Sequence, residues 1–469
     1  MKRINFILLL LFFVTNGFAQ LPYTQNSFAY DSLLDVVYGV ATNYSGNKDT
    51  LKLDIYKPTG DNNCLRPIMV LVHGGDWIGG SKEEIDLVYM SKELAKKGWV
   101  VANINYRLGT HKASAYQMYA LCNNTISQPC SYICDSSEIF RANFRAMQDT
   151  KGVIRFMKGR NLVDSSDINN VYIAGESAGG FVSLATAFTD SINEKPSDCF
   201  SIPDAPSPAA SLIPYGCIPV SNSLLRPDLG DIEGDLHLGL YNSQVKGVGN
   251  FYGGVLDLNM LHQNSDTPIV YLFHQGSDVI AHYNYGPLLG RISWECYAQT
   301  NLCQSYYFYP SGYGSEGIRQ YFVSLGSASP FYQAEIVNNY SYLNNCLSNG
   351  HAIDNIQFRL QNMTDFFAAK ISISGNNPPD NCLSSGIIKY SENSGIRIYP
   401  SPAESFITIH SRENIAEGDF KIFDILGHCI LKGSFTGHFK EVKIDRLTSG
   451  VYFINLFGKN TINFKFIKK

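Results

Sequence analysis

The chain has 469 residues, a net charge of −4, 45% hydrophobic residues and 17% charged residues. That length holds two or three domains with a sizeable core, and the composition excludes a disordered chain. No long basic run precedes the last residues, so nucleic-acid binding has no support.

The start reads as a secretory signal peptide over residues 1–19. Lys2 and Arg3 give a positive region, Ile4–Val14 an apolar one, and Gly17-Phe18-Ala19 a small-residue end that predicts cleavage after Ala19. The apolar run is too short for a membrane anchor, and no transmembrane segment is expected in the mature chain. Export permits disulfides among the 11 Cys. Cys122, Cys130 and Cys134 share one loop. Cys199–Cys217 and Cys296–Cys303 are candidate local bridges. The odd count leaves a free thiol, for which Cys429 is the candidate. The spacings lack the paired C-x-x-C of a zinc site.

Leu21–Leu34 is polar and aromatic and reads as surface chain. Asp35–Val40 and Leu51–Tyr56 read as strands, and Ile68–Val72 as a fully buried one. It runs into His73-Gly74-Gly75-Asp76-Trp77. Ser81 with Glu84 three residues on predicts a capping box and a helix to about Lys97. Val100–Ile104 is the next buried strand, followed by Asn105-Tyr106-Arg107-Leu108. After the cysteine-bearing loop 111–137, Phe140–Lys158 has helical spacing. Val171–Ala174 is a strand that enters Gly175-Glu176-Ser177-Ala178-Gly179, and Phe181–Phe188 continues as a helix. This alternation predicts a mostly parallel α/β sheet with helices on both faces.

Further on, Ala209–Tyr215 reads as a strand. Residues 219–262 lack a clean period and are candidates for a lid. Pro268–Phe273 is a buried strand, Leu288–Gln299 a helix and Ser305–Tyr309 a strand. Residues 311–350 read as irregular, and Ala352–Lys370 as the last helix. Residues 376–394 form a linker. Residues 395–469 carry short strand-like runs between turns, which predicts a small all-β sandwich domain. The expected division is therefore a signal peptide (1–19), a catalytic domain (20–375), a linker and a terminal domain.

A serine on a sharp strand-to-helix turn is the nucleophile elbow of G-x-S-x-G. The turn lifts the Ser177 hydroxyl off the sheet, and the helix N-terminus puts N–H groups beside the attacked carbonyl. Such a serine needs an orienting acid and then a base, in that chain order. Asp278 lies just past the strand at 268–273. Asp266 lies at that strand's other end, and Asp257 lies in the lid candidate. His351 sits on a late loop before the last helix. Its rivals are His262, His274 and His282, and His410, His428 and His438 in the terminal domain. The oxyanion hole is assigned to N–H groups of Ala178, Gly74 and Gly75. No metal or cofactor is called for.

HGGDW (73–77), NYRL (105–108), AMQDTKGVIRFM (146–157), GESAGG (175–180), GSD (276–278) and the NGH that ends at His351 form an ordered set. With these motifs, residues 35–370 resemble the carboxylesterase branch of the α/β-hydrolase superfamily, close to the type that includes feruloyl and acetyl-xylan esterases. The resemblance implies an eight-stranded sheet and hydrolysis of carboxylic esters. Two departures stand out. Asp76 replaces the third glycine of the oxyanion turn, where its charge would narrow the acyl pocket. More chain than usual separates Asp278 from His351. In the terminal domain, Ile398–Pro402, Asp424–Gly427, Leu447–Tyr452 and Lys465–Lys469 resemble a type IX secretion sorting domain of Bacteroidota. That resemblance implies recognition by the secretion machinery, removal of the domain, and surface attachment or release.

The expected function is a secreted serine esterase acting through Ser177, His351 and Asp278 on a small-molecule or polysaccharide-linked ester. The rivals are a catalytically silent adhesion or glycan-binding protein and a serine peptidase.

Overall fold

The computed structural model describes residues 21–60, 65–111, 133, 135–202, 226–239, 241–261, 267–289, 309–339, 350–371, 396–425, 427–457 and 462–469. The signal peptide, the linker, the strand expected at Ala209–Tyr215, His262, Asp266 and most of 288–309 lie outside these residues.

The elements of the first part run β1 (Ala29–Thr42), β2 (Lys48–Thr59), β3 (Arg66–Val72), α1 (Ile85–Lys96), β4 (Val100–Ile104), α2 (Ser137–Gly159), α3 (Asn161–Asp164), β5 (Ser166–Glu176) and α4 (Ala178–Phe188). They continue with β6 (Gly247–Phe251), β7 (Gly254–Val255), β8 (Ile269–Gln275), β9 (Tyr285–Pro287), β10 (Ser311–Gly314), α5 (Ser315–Leu325), β11 (Tyr332–Val337) and α6 (Ile356–Ala368). Eight strands form one sheet in the order β1-β2-β4-β3-β5-β6-β8-β11. The pairs β1–β2 and β2–β4 are antiparallel and the rest parallel. Short strands β7, β10 and β9 make a small sheet of their own.

The continuous apolar run of β3 follows from its central place. Ile68, Val70 and Val72 pack into the core on the side of α2 and α4, while Met69 and Leu71 pack on the side of α1 and α6. All five are fully buried. Each such side chain contributes roughly 1.5–3 kcal/mol relative to exposure.

Four expectations change. The capping box at Ser81 does not form: α1 begins after Glu84, with no side-chain cap. Lys82 explains this, because its backbone is tied to β4 and the residue after it. Its N–H donates to Asn105 and its carbonyl accepts from Asn103. Its buried ammonium pairs with Asp54 at 3.0 Å, so this turn cannot enter the helix. Second, the described part of 219–262 is no detached lid. Residues 226–239 are fastened to α2, with Gln148 donating to Leu229 and Asp231 and with Glu233 paired to Lys151 and Arg155. Residues 247–251 are a central strand, and they lack an apolar pattern for a packing reason. A Cβ on Gly247 would sit 2.8 Å from Tyr172, and one on Gly249 2.7 Å from Met363. Third, 311–350 is not irregular throughout, since it holds α5 and the edge strand β11. Ile318, Tyr321, Phe322 and Leu325 give α5 one apolar face at helical spacing, whereas β11 is half-buried along its length and shows no period. Fourth, the chain before Asp35 already forms strand from Ala29, although Leu33 and Leu34 are exposed.

The bridge expected between Cys199 and Cys217 is not formed. Cys199 is a free, buried thiol packed with Phe144, Met147, Ala185 and Ile232. Burial pushes it up to about 12, which makes it inert as a nucleophile. Cys429 is a free, exposed thiol. Cys217, Cys296 and Cys303 lie outside the described residues.

The terminal part contains β12 (Ile396–Tyr399), β13 (Phe406–Phe423), β14 (Cys429–Lys443), β15 (Gly450–Phe457) and β16 (Ile462–Lys468). All are antiparallel and belong to one sheet rather than two separate ones. Register shifts between His410 and Gly418 bend β13, so its first half pairs with β12 and its second with β15. The sheet curls into a near-barrel around Ile407, Ile409, Phe420, Ile422, Ile454 and Phe466.

Candidate active site

Strand β5 ends at Glu176 and α4 begins at Ala178, which leaves Ser177 alone to make the turn. Its φ of 51° and ψ of −123° are strained for a residue with a side chain. The Ser177 N–H donates to Phe251 of β6 at 2.9 Å, which fixes the elbow to the neighbouring strand. The turn after β3 passes over the same spot. A Cβ on Gly74 would lie 3.0 Å from that of Ser177, tighter than ordinary contact, so glycine suits this approach.

The structure brings Ser177, Asp278 and His351 together. His351 Nδ1 donates to Asp278 Oδ2 at 2.8 Å, and its Nε2 lies 2.7 Å from Ser177 Oγ, whose hydroxyl donates to it. The long chain between acid and base is accommodated by Gly350. Its φ is +63°, and a Cβ there would lie 2.2 Å from Ser277 Oγ and 2.6 Å from the Asp278 amide. The base loop thus lies directly on the acid loop.

Asp278 follows β8 and is fully buried. Burial alone would raise its carboxyl. The charge of His351 and hydrogen bonds from His274 and His351 hold it down at about 2. Its other oxygen accepts the N–H groups of Ile280 at 2.8 Å and Ala281 at 3.1 Å.

The rival histidines have other places. His274 is buried and donates from Nε2 to Asp278 Oδ2 and Ala281 O, both at 3.1 Å, while its Nδ1 accepts the Ser315 N–H at 3.3 Å. It supports the acid and was not assigned that part from sequence. Its position four residues before Asp278, at a strand end, was the available signal. His282 stacks on Tyr283 and accepts from Asn284. His410, His428 and His438 lie in the terminal domain. Asp257 caps a short turn by accepting from Asn259.

Tyr252 was also missed. It follows β6, and its ring packs edge-on against His351 with centroids 4.7 Å apart. Its hydroxyl donates to Glu176 at 2.7 Å. Burial pushes the Glu176 carboxyl up, opposed by Tyr252 and by the Gly74 amide. No sequence period marks Tyr252, because it lies in the stretch without one.

The turn after β3 has positive φ at Gly75 (103°), Asp76 (55°) and Trp77 (57°). His73 anchors it. Its ring stacks on Tyr106 at 4.4 Å, and its Nδ1–H donates to Gly74 O at 2.6 Å. Burial pushes His73 down to about 4, so it is neutral at physiological pH. The Tyr106 hydroxyl donates to His73 O at 3.1 Å. Asp76 is half-buried and accepts the Tyr309 hydroxyl at 2.6 Å. Burial pushes its carboxyl up to about 7, against the opposing pull of Tyr309 and His351. Behind the turn, Arg107 joins two of the sequence motifs by a paired contact with Asp149 of α2, at 2.8 and 2.9 Å.

Two stretches of the chain match known family models: residues 53–145 match BD-FAE, and residues 397–469 match the secretion system C-terminal sorting domain. The chain thus pairs a stretch similar to an esterase family with a stretch similar to a secretion sorting domain. This sorting domain marks the protein for export, with release or attachment at the cell surface. Among the described residues, no helix is long and apolar enough to cross a membrane. The BD-FAE match takes in the turn after β3 and stops before Ser177, Asp278 and His351.

Among curated proteins, the chain is 28% identical over 149 residues to the bile salt-activated lipase of Homo sapiens, covering 30% of this chain and 17% of that protein. It is 25% identical over 178 residues to the isoprenylcysteine alpha-carbonyl methylesterase ICME of Arabidopsis thaliana, covering 38% and 32%. The chain thus spans no more than about a third of these relatives' length. Among solved structures, Thermogutta terrifontis esterase 2 phosphoramylated by tabun aligns with a TM-score of 0.42 at 15% identity, over 72% of this chain and 94% of the other. A truncated form of carbohydrate esterase from gut microbiota aligns at 0.40 and 16%, over 75% and 99%.

Proposed function

We propose that the protein is an exported serine carboxylesterase working through Ser177, His351 and Asp278. The observation that carries this reading is the unbroken hydrogen-bond chain from Asp278 through His351 to Ser177. Ser177 Oγ attacks the ester carbonyl while His351 Nε2 takes its proton. Asp278 keeps the proton on Nδ1 and stabilises the imidazolium. The Ala178 and Gly75 amides face the carbonyl oxygen as charge develops, whereas the Gly74 amide, also expected there, is engaged by Glu176. Losing one such donor typically costs about 3 kcal/mol of barrier. The alcohol leaves with the proton from His351. Water, deprotonated by the same nitrogen, then releases the acid and Ser177.

The proposed substrates are acetyl or feruloyl esters of polysaccharides, a reading supported by export and by the α/β-hydrolase fold. In the proposed division, residues 1–19 are removed on export, 20–375 carry out the hydrolysis, 376–394 link and 395–469 sort. Activity on p-nitrophenyl acetate and on acetylated and feruloylated oligosaccharides tests the reading, with Ser177→Ala and His351→Ala alongside. The expected result is wild-type turnover with both variants reduced about 10⁴- to 10⁶-fold. Wild-type protein that is folded yet silent on the whole panel would overturn it in favour of a binding protein.

A further inference from the structure

Asp76 is the residue by which this oxyanion turn departs from a run of glycines. Its φ of 55° is a conformation that glycine would adopt freely and aspartate does not favour, so a carboxylate is kept there at a conformational cost. Tyr309, itself buried, fixes one carboxylate oxygen at 2.6 Å. The carboxylate makes no other side-chain hydrogen bond among the described residues. It lies within electrostatic reach of His351, on a turn that touches Ser177 through Gly74. A half-buried carboxylate oxygen beside the reacting ester keeps its free energy low only while something donates to it. Without a substrate, solvent is the donor available to it. An apolar alcohol group would displace that solvent and give nothing back, a carboxylate would be repelled, and a hydroxyl would replace the lost bond.

We propose that Asp76 is a specificity-determining residue whose second carboxylate oxygen accepts a hydrogen bond from a substrate hydroxyl next to the scissile ester. It thereby selects esters of neutral polyhydroxy compounds and rejects esters carrying a carboxylate at that place. The inference rests on the esterase reading above. Tyr309 acts as a positioning residue that holds the acceptor in one orientation.

The test uses three acetyl esters that differ only in the alcohol: monoacetylated methyl xyloside, cyclohexyl acetate and acetoxyacetate. The purified exported chain is compared with Asp76→Gly, Asp76→Asn and Tyr309→Phe at pH 8, where Asp76 is ionised. In Asp76→Gly the kcat/KM ratio of xyloside to cyclohexyl ester is expected to fall about ten- to a hundredfold, chiefly through KM. In both Asp76 variants the ratio of acetoxyacetate to cyclohexyl ester is expected to rise about tenfold. Tyr309→Phe keeps the charge, so it should keep the rejection of acetoxyacetate while losing part of the hydroxyl preference. Unchanged ratios in an Asp76→Gly protein of native melting behaviour would overturn the proposal. Should that variant not fold, unchanged charge discrimination in Asp76→Asn would do so. Failure of the esterase reading looks different: the wild type then turns over none of the three esters, and both readings fall together.

Discussion

Two aspartates flank the same histidine, and their surroundings push them in opposite directions. Asp278, on the loop after β8, is fully buried yet held at about 2. Asp76, on the turn after β3, is less buried yet pushed up to about 7. Burial raises both carboxyls. What separates them is the number of donors. Asp278 receives two ring N–H groups and two backbone amides. Asp76 receives one tyrosine hydroxyl. The state of a buried carboxyl is decided by how many hydrogens point at it.

The largest break in this comparison is Asp278→Asn. It preserves shape but removes the charge and favours the wrong imidazole tautomer, so kcat is expected to fall about 10⁴-fold in ester turnover assays. Next comes Gly350→Ala, which forces a side chain into Ser277 and onto an unfavourable φ. Its expected effect is a loss of about 10²-fold in kcat, through misplacement of His351, with a lowered melting temperature. His274→Gln removes a ring donor from the acid. A roughly tenfold fall in kcat is expected, together with a loss of stability near neutral pH that shrinks as pH falls toward about 2. A variant that melts like wild type from pH 3 to 8 would show that the other donors suffice.

The smallest effect is on stability against pH. The depressed Asp278 contributes stability that is present above its unfolded value near 4 and lost as pH falls toward about 2. The raised Asp76 runs the other way: its contribution is lost as pH rises from about 4 to about 7. Thermal melts of Asp76→Asn should therefore gain on wild type by a few degrees near pH 8 and by nothing near pH 3.

The sequence was most readable where one chain segment carries its own pattern. Ile68–Val72 of β3, Val100–Ala102 of β4 and Val171–Ala174 of β5 are apolar runs because both faces of the sheet are covered there, and the elbow follows directly from β5. Strand β6 was hidden because its neighbours demand small residues: Tyr172 and Met363 occupy the space that valines would need. Strand β11 was hidden for the opposite reason, since an edge strand half-buried throughout has no apolar face to display. The partners of the site follow the same division. Chain order and strand ends single out Asp278 and His351. Tyr252 and His274 act through contacts between loops that no local spacing encodes. The expected capping box at Ser81 failed because Lys82 belongs to a tertiary network with Asp54, Asn103 and Asn105.

The backbone of Ser177 also bears on how this chain drifts under mutation. A residue with a side chain held at φ 51° typically carries about 1–3 kcal/mol of strain. Glycine at that position would relax it, so Ser177→Gly is expected to melt above wild type while losing its hydroxyl. Stability and catalysis therefore pull this codon toward different residues. Wherever selection for turnover lapses, the proposed nucleophile is a position whose loss makes the rest of the molecule sturdier.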